Sequence, residues 1–180
     1  MEIKNLTEAE IIEKAKKDPE CFEPIYLKYY QEMISFINRR VNDQDISFDI
    51  VQQVFFNALN HLPKYKDKGH PFSSFLYKIA INECNQFFRN SKKNRYVSTS
   101  PETLELFSDE VSPDREIRER ALTKALQKLK LKEVNLIELR FFEQRSHKEI
   151  GEILGITETN AKVRIHRLVK KIKRSMRDEK

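Results

Sequence analysis

Apolar residues recur along this chain at intervals of three and four, the spacing of one buried helix face, and almost never alternate as strands require. Thr7 and Glu10 have the spacing of a capping box and predict a short helix running to about Lys17. Pro19 and Pro24 bracket the next helix start, and Ile25, Tyr26, Tyr29, Tyr30, Met33, Ile34, Phe36 and Ile37 predict a helix from Phe22 to Val41. Residues 42–45 are a polar break. Ile50, Val51, Val54, Phe55, Ala58 and Leu62 form the apolar face of a third helix, from about Ile46 to the stop at Pro63. Residues 64–71, KYKDKGHP, read as a loop. A fourth helix follows, with Phe72, Phe75, Leu76, Ile79, Ala80, Cys84, Phe87 and Phe88 inward. Residues 92–113 have no sustained period and read as a linker, with Leu104, Leu106 and Phe107 able to dock on a neighbouring surface. Ser112 and Pro113 open a fifth helix lined by Leu122, Ala125, Leu126 and Leu129. A sixth spans 132–142.

The clearest pattern is the last. Ser146 and Glu149 predict a capped helix with Ile150, Ile153 and Leu154 on one face. Gly155 supplies a left-handed stop. Thr157 caps a final helix whose Ala161, Ile165, Leu168 and Ile172 make one buried stripe. The other faces carry Lys162, Arg164, Arg167, Lys170, Lys171, Lys173, Arg174 and Arg177, with no acidic residue from Lys162 to Arg177. A short helix, a glycine turn and a cationic second helix are the parts of a DNA-binding helix-turn-helix, although a basic helix face is more often simply solvated.

Composition sharpens this picture. Only three glycines and no long β-branched runs point to an all-α protein. Charged residues are 34% of the chain against 39% apolar, which suits two small helical domains with thin cores. The net charge of +6 is unevenly spread: −4 over residues 1–61, +6 over 62–96, −4 over 97–118 and +8 over 119–180. Two basic blocks around an acidic spacer suggest two contacts with one polyanion. Cys21 and Cys84 lie in apolar helical patterns and read as buried thiols, not as a disulfide or metal site. The polar N-terminus shows no signal peptide, and no apolar run is long enough to span a membrane, so a soluble cytoplasmic protein without membrane insertion is expected.

Three segments of the first half resemble the second domain of bacterial sigma factors: FEPIYLKYYQEMISFINRRV its first core helix, FDIVQQVFFNAL its polymerase-binding helix, and FSSFLYKIAINECNQFFR its promoter-melting helix. The segments LRFFE, EIGEILGIT and VRIHRLVKKIKR resemble the fourth domain of the same family, and no third domain fits between. This plan is similar to the extracytoplasmic-function class. It departs from the family at Lys130, where Leu-Pro is usual, at Phe75, often a tryptophan, at Gln53, usually an acid, and at Asn160-Ala161, commonly Thr-Val. The expected organisation is 1–95 for the first domain, 96–117 for a flexible acidic linker and 118–180 for the second.

The resemblance implies roles. Asp49, Gln52, Gln53 and Asn57 would bind core RNA polymerase, although a polar helix edge is ordinarily just solvated. Lys64, Lys66, Lys68, His70, Lys78, Asn82, Asn85 and Arg89 would hold the melted minus-ten strand, lysines on phosphates and asparagines on base edges. Tyr65 and Phe72 could stack on an unpaired base, although Phe72 and Phe75 read first as core. Thr159, Asn160, Lys162, Val163, Arg164 and Arg167 would meet the duplex minus-thirty-five element, with Lys171 and Arg174 as phosphate contacts.

The leading expectation is a sigma factor that binds core polymerase and promoter DNA without catalysing a reaction. The second is a free-standing helix-turn-helix regulator binding duplex DNA without polymerase. An enzyme has the least support, because the chain has no glycine-rich phosphate loop, metal-ligand cluster or nucleophile motif, and no cofactor is expected. The sequence leaves open whether an anti-sigma factor exists.

Overall fold

The computed structural model describes residues 6–67, 69–91, 107 and 115–178. They contain helices and turns and no strand. The chain divides into two compact units, Met1–Tyr96 and Val97–Lys180. Lys68, Leu104, Leu106, Ser112 and Pro113 lie outside the described residues.

The first unit begins with α1 (Glu8–Ala15). Thr7 Oγ1 accepts the Glu10 N–H at 3.4 Å, and the Glu10 carboxylate accepts the Thr7 N–H at 2.8 Å, the expected capping box. A 3₁₀ turn, Pro19–Phe22, leads into α2 (Glu23–Val41), which ends where Asn42 takes the left-handed conformation at φ 53°. Asp43 then caps α3 (Gln44–His61), its Oδ1 accepting the Ile46 N–H at 3.1 Å. The helix therefore starts two residues earlier than its apolar face suggests, because the cap sets the start. Pro63 lies in a 3₁₀ turn, Leu62–Lys64, and α4 (Phe72–Ser91) returns along α3.

Helices α2, α3 and α4 pack mutually as a three-helix bundle, with α1 against α2. Met33, Ile37, Val51, Val54, Ala58, Leu62, Leu76, Ala80 and Cys84 fill its interior. Because α4 touches both other helices, its buried face is wider than one periodic stripe. Tyr77, Ser73 and Ser74 are buried, and the Tyr77 hydroxyl donates to Glu32 Oε1 at 2.9 Å. Ile79, Phe75, Phe87 and Phe88, read as inward, are only half-buried.

The second unit contains α5 (Arg115–Gln127) and α6 (Leu131–Ile137). The sixth helix does not run to residue 142 as an α-helix. From Glu138 to Phe142 it widens into a π turn, in which the Glu143 N–H donates to Glu138 O at 3.0 Å. Such a turn inserts an extra residue per turn without any Gly or Pro to announce it. Leu139 stays fully buried, and Phe141 meets Phe107 edge-on, their centroids 5.2 Å apart. The turn ends at Gln144 in the left-handed region at φ 53°. Helices α7 (His147–Leu154) and α8 (Glu158–Asp178) complete the unit. Helix α8 is its spine, packing against α5, α6 and α7 through Ala161, Ile165, Leu168 and Ile172.

No helix among the described residues is long and apolar enough to cross a membrane. Neither cysteine is in a disulfide: Cys84 is buried, and Cys21 is half-buried with its Sγ 3.7 Å from Asp18 Oδ2. Among the described residues no group of three His, Cys, Asp or Glu side chains could hold a metal ion.

Candidate nucleic-acid interface

The turn between α7 and α8 is built by close backbone approach. Ser146 Oγ accepts the Glu149 N–H at 3.2 Å while the Glu149 carboxylate accepts the Ser146 N–H at 2.9 Å. Gly155 sits at φ 67°, and the Ile156 N–H returns to Gly151 O at 2.9 Å. A Cβ on Gly151 would lie 2.8 Å from Ile156 O and 3.3 Å from the Glu158 N, both backbone atoms, so this position excludes any side chain. Thr157 Oγ1 accepts the Asn160 N–H at 3.2 Å and starts α8.

With one stripe of α8 buried, Thr159, Lys162, Val163, Arg164 and Arg167 are exposed, and Asn160 is half-buried. Val163 presents 41% of its surface, an apolar contact amid cations. Arg164 Nε donates to Asn160 Oδ1 at 2.7 Å, so these two residues act as a pair. Farther along, Lys170, Lys171 and Arg174 are exposed. Lys171 is not free: its Nζ reaches both carboxylate oxygens of Glu133, at 2.9 and 3.0 Å. Burial pushes the Glu133 carboxyl up. Hydrogen bonds from Lys171 and from the Lys130 N–H, with the field of both ammonium groups, hold it below its ordinary value nonetheless.

Three residues that sequence reasoning passed over lie on this unit's polar surface. Glu133 is 38 positions from Lys171, too far for any local spacing to reveal the pair. His147 and Arg140 are brought within electrostatic range of Lys162; burial first, then the two cations, holds the His147 imidazole below its ordinary value, against an opposing pull from Glu158.

In the first unit, Lys78, Asn82, Asn85 and Arg89 recur along one side of α4 at intervals of four, three and four. Lys78, Asn82 and Arg89 are exposed, as are Lys64 and Lys66 in the preceding segment, while His70 is half-buried. Asn85 is half-buried, and its Oδ1 is shut away from solvent without a donor among the described residues. Phe72 is 1% exposed and belongs to the core, so it offers no stacking face. Tyr65 is half-buried, packed on Phe72 and Phe75 at 5.2 and 5.0 Å, with the Lys16 ammonium 5.9 Å from its ring centroid.

The α3 edge divides in two. Asp49, Gln52 and Gln53 are exposed, and Gln52 Nε2 donates to Tyr26 Oη at 3.4 Å. Asn57 faces its own bundle: it accepts from Gln53 Nε2 at 3.1 Å and donates through Nδ2 to Glu83 Oε1 of α4 at 2.9 Å. Phe48 and Phe56 stand one turn either side of Gln52 and are 51% and 61% exposed. The i, i+4, i+8 spacing of Phe48, Gln52 and Phe56, off the buried stripe, was the available signal, and the periodic reading passed over it.

Each of the two units matches a known family model. Residues 25–94 match the model of Sigma-70 region 2, and residues 119–172 match that of Sigma-70, region 4. The chain is 31% identical to RNA polymerase sigma factor SigZ of Bacillus subtilis over 81% of each protein. It is 29% identical to the ECF RNA polymerase sigma factor SigW of the same organism, over 93% of this chain and 95% of SigW. Its fold is similar to that of the sigma factor RpoE solved in complex with the anti-sigma factor NepR from Bartonella quintana, with a TM-score of 0.59 at 18% identity over 87% of this chain and 96% of that one. With both region models matched in order, and relatives aligned along nearly their full length, the chain belongs to the sigma-70 family, as an RNA polymerase sigma factor of the extracytoplasmic-function class.

Proposed function

We propose that the two units divide the work of promoter-directed initiation. The unit containing α7 and α8 reads the upstream promoter element as duplex. Asn160, Lys162, Val163, Arg164 and Arg167 enter the major groove from the first turns of α8, with Thr159 beside them and Arg174 on the backbone. The observation that carries this is the exposed cationic face of α8 behind a turn whose backbone packs on Gly151 of α7 too closely for a side chain there. The polar stripe of α4 and the lysines of the 64–71 segment hold the opened strand of the downstream element, with Tyr65 the nearest aromatic surface. The outer edge of α3, Asp49, Gln52 and Gln53 with the exposed rings of Phe48 and Phe56, meets core polymerase. An apolar centre with polar neighbours is the composition of a protein interface. Asn57 supports that edge from within and is not itself a contact.

The protein works by binding, in the cytoplasm with the polymerase, and carries out no chemical step of its own. An anti-sigma factor, as in the Bartonella quintana complex, is a further expected partner. Family membership favours this reading over a free-standing regulator. Run-off transcription with purified core polymerase on a promoter library tests it: a selected pair of promoter elements transcribed only when this chain is added supports the reading, and duplex binding without any polymerase-dependent transcript overturns it.

A further inference from the structure

The strongest unexplained feature of the second unit is the carboxylate that α6 holds against the cationic helix α8. Glu133 is fixed from two sides. One oxygen accepts the Lys130 N–H at 2.8 Å, closing the start of α6, and both oxygens take the Lys171 ammonium. Its side chain is 25% exposed, whereas that of Lys171 is 51% exposed and reaches the surface. The pair also borders a pocket of about 260 Å³ lined by Lys132, Leu136, Arg164, Arg167 and Leu168. The carboxylate thus lies on the same side of α8 as two arginines assigned to the groove.

We propose that Glu133 is a positioning residue that withholds Lys171 from the DNA backbone and so sets how many phosphates the recognition helix grips. The inference rests on the reading of α8 as the duplex-binding helix. A lysine held by both oxygens of a carboxylate has already spent its charge inside the protein, and a phosphate must displace that carboxylate before it gains a contact. Phosphate contacts act alike on every sequence, so each cation left free on α8 strengthens binding to non-promoter DNA as much as to promoters. The acid that limits this grip comes from another helix, because α8 itself carries none between Lys162 and Arg177. Glu133→Gln keeps an acceptor for the Lys130 N–H and the same shape while releasing the ammonium.

The test uses the full chain, with anisotropy titrations on a duplex carrying the cognate upstream element and on a scrambled one, at several salt concentrations between about 50 and 200 mM. Glu133→Gln is expected to raise affinity several-fold on both duplexes at low salt and to steepen log K against log salt by about 0.9, the increment of one phosphate contact. In a Lys171→Ala background the same substitution should do neither. An unchanged slope in Glu133→Gln, or an equal gain when Lys171 is already absent, overturns the proposal. Lys171→Ala alone gives a second measure: it should leave the wild-type slope nearly unchanged, and a loss of one full contact overturns the proposal even if Glu133→Gln folds poorly. The reading of α8 has its own control. If Arg164→Ala and Arg167→Ala both bind the two duplexes like wild type, that reading fails whatever Glu133 does.

Discussion

Arg164 donates through Nε to the side-chain oxygen of Asn160, one turn earlier on α8, at 2.7 Å. A guanidinium bonded at Nε still has its two terminal nitrogens to offer, and an arginine fork can recognise a guanine edge. The two residues should therefore behave as one reader. Asn160→Ala and Arg164→Ala are each expected to cost about 1–3 kcal/mol on the cognate upstream element. The double variant should cost clearly less than their sum, because the second substitution removes a partner already lost. Binding titrations on cognate and scrambled duplexes measure this. Additive losses, or equal losses on both duplexes, would show that the pair grips the backbone and reads no base.

On α3 the expected contacts are a mixed polar and aromatic edge. Asp49→Arg with Gln53→Arg should weaken competition for core polymerase, and Phe56→Ser should do so without lowering the melting temperature, since Phe56 is 61% exposed. Asn57→Ala should behave differently. It removes the bridge to Glu83 and should destabilise the first unit by about 1 kcal/mol. Equal competition by the Asp49/Gln53 double variant and by wild type would remove this edge from the interface.

For strand opening, Lys66→Ala and Asn82→Ala should lower permanganate reactivity of promoter thymines more than they lower closed-complex binding. Lys68 carries the same expectation from sequence alone. Asn85→Ala separates role from stability. It removes a buried acceptor that has no donor among the described residues, so the fold should be as stable as wild type or more so. If opening survives unchanged in Asn82→Ala and Asn85→Ala alike, the α4 stripe is not the strand-holding surface.

What the sequence disclosed was periodic or capped. The stripe Ala161, Ile165, Leu168, Ile172 and the reciprocal pair Ser146 and Glu149 stand where spacing puts them, because both depend on residues a turn apart. The start of α3 was misjudged because a cap, Asp43, set it. The π turn at 138–142 was invisible because widening a helix by one residue leaves no composition signal. Among the candidate site residues, exposure was legible for Lys162, Arg164 and Asp49, which lie opposite a buried stripe. Pairings between distant helices were not, which is why Lys171 with Glu133 and Asn57 with Glu83 emerge only from the folded chain.

Gly151 gives a stability prediction. Gly151→Ala would drive a methyl into the Ile156 carbonyl, and neither strand of backbone can yield without moving the turn. A loss of more than about 2 kcal/mol is expected, against about 1 kcal/mol for Gly155→Ala, where the strain is one left-handed residue in open space. Thermal or denaturant unfolding of the second unit distinguishes them. Equal, small losses would mean that the turn relaxes.

The second unit should also lose stability in mild acid. His147 is held below its ordinary value by burial and then by Arg140 and Lys162, so below about pH 6.5 the unfolded chain binds a proton that the folded chain resists. Stability therefore falls as pH drops through that range. Glu133 and Glu149 act in the same direction but only at lower pH, in the carboxylate range. Melting curves of wild type and His147→Gln between pH 7.5 and about 5.5 should diverge, with the variant less sensitive. Parallel curves would assign the acid loss to other groups.

The amide chain from Gln53 through Asn57 to Glu83 ties the outer edge of α3 to α4 inside one bundle. If polymerase binds that edge and the opened strand lies on α4, as proposed, the bundle would act as a gauge block. The offset between enzyme and captured strand would then be a fixed length cut by helix packing, not a setting adjusted at each promoter. Promoters would have to fit that length, and a change in how α3 seats on α4 would shift where transcripts begin while both surfaces kept every one of their contact residues.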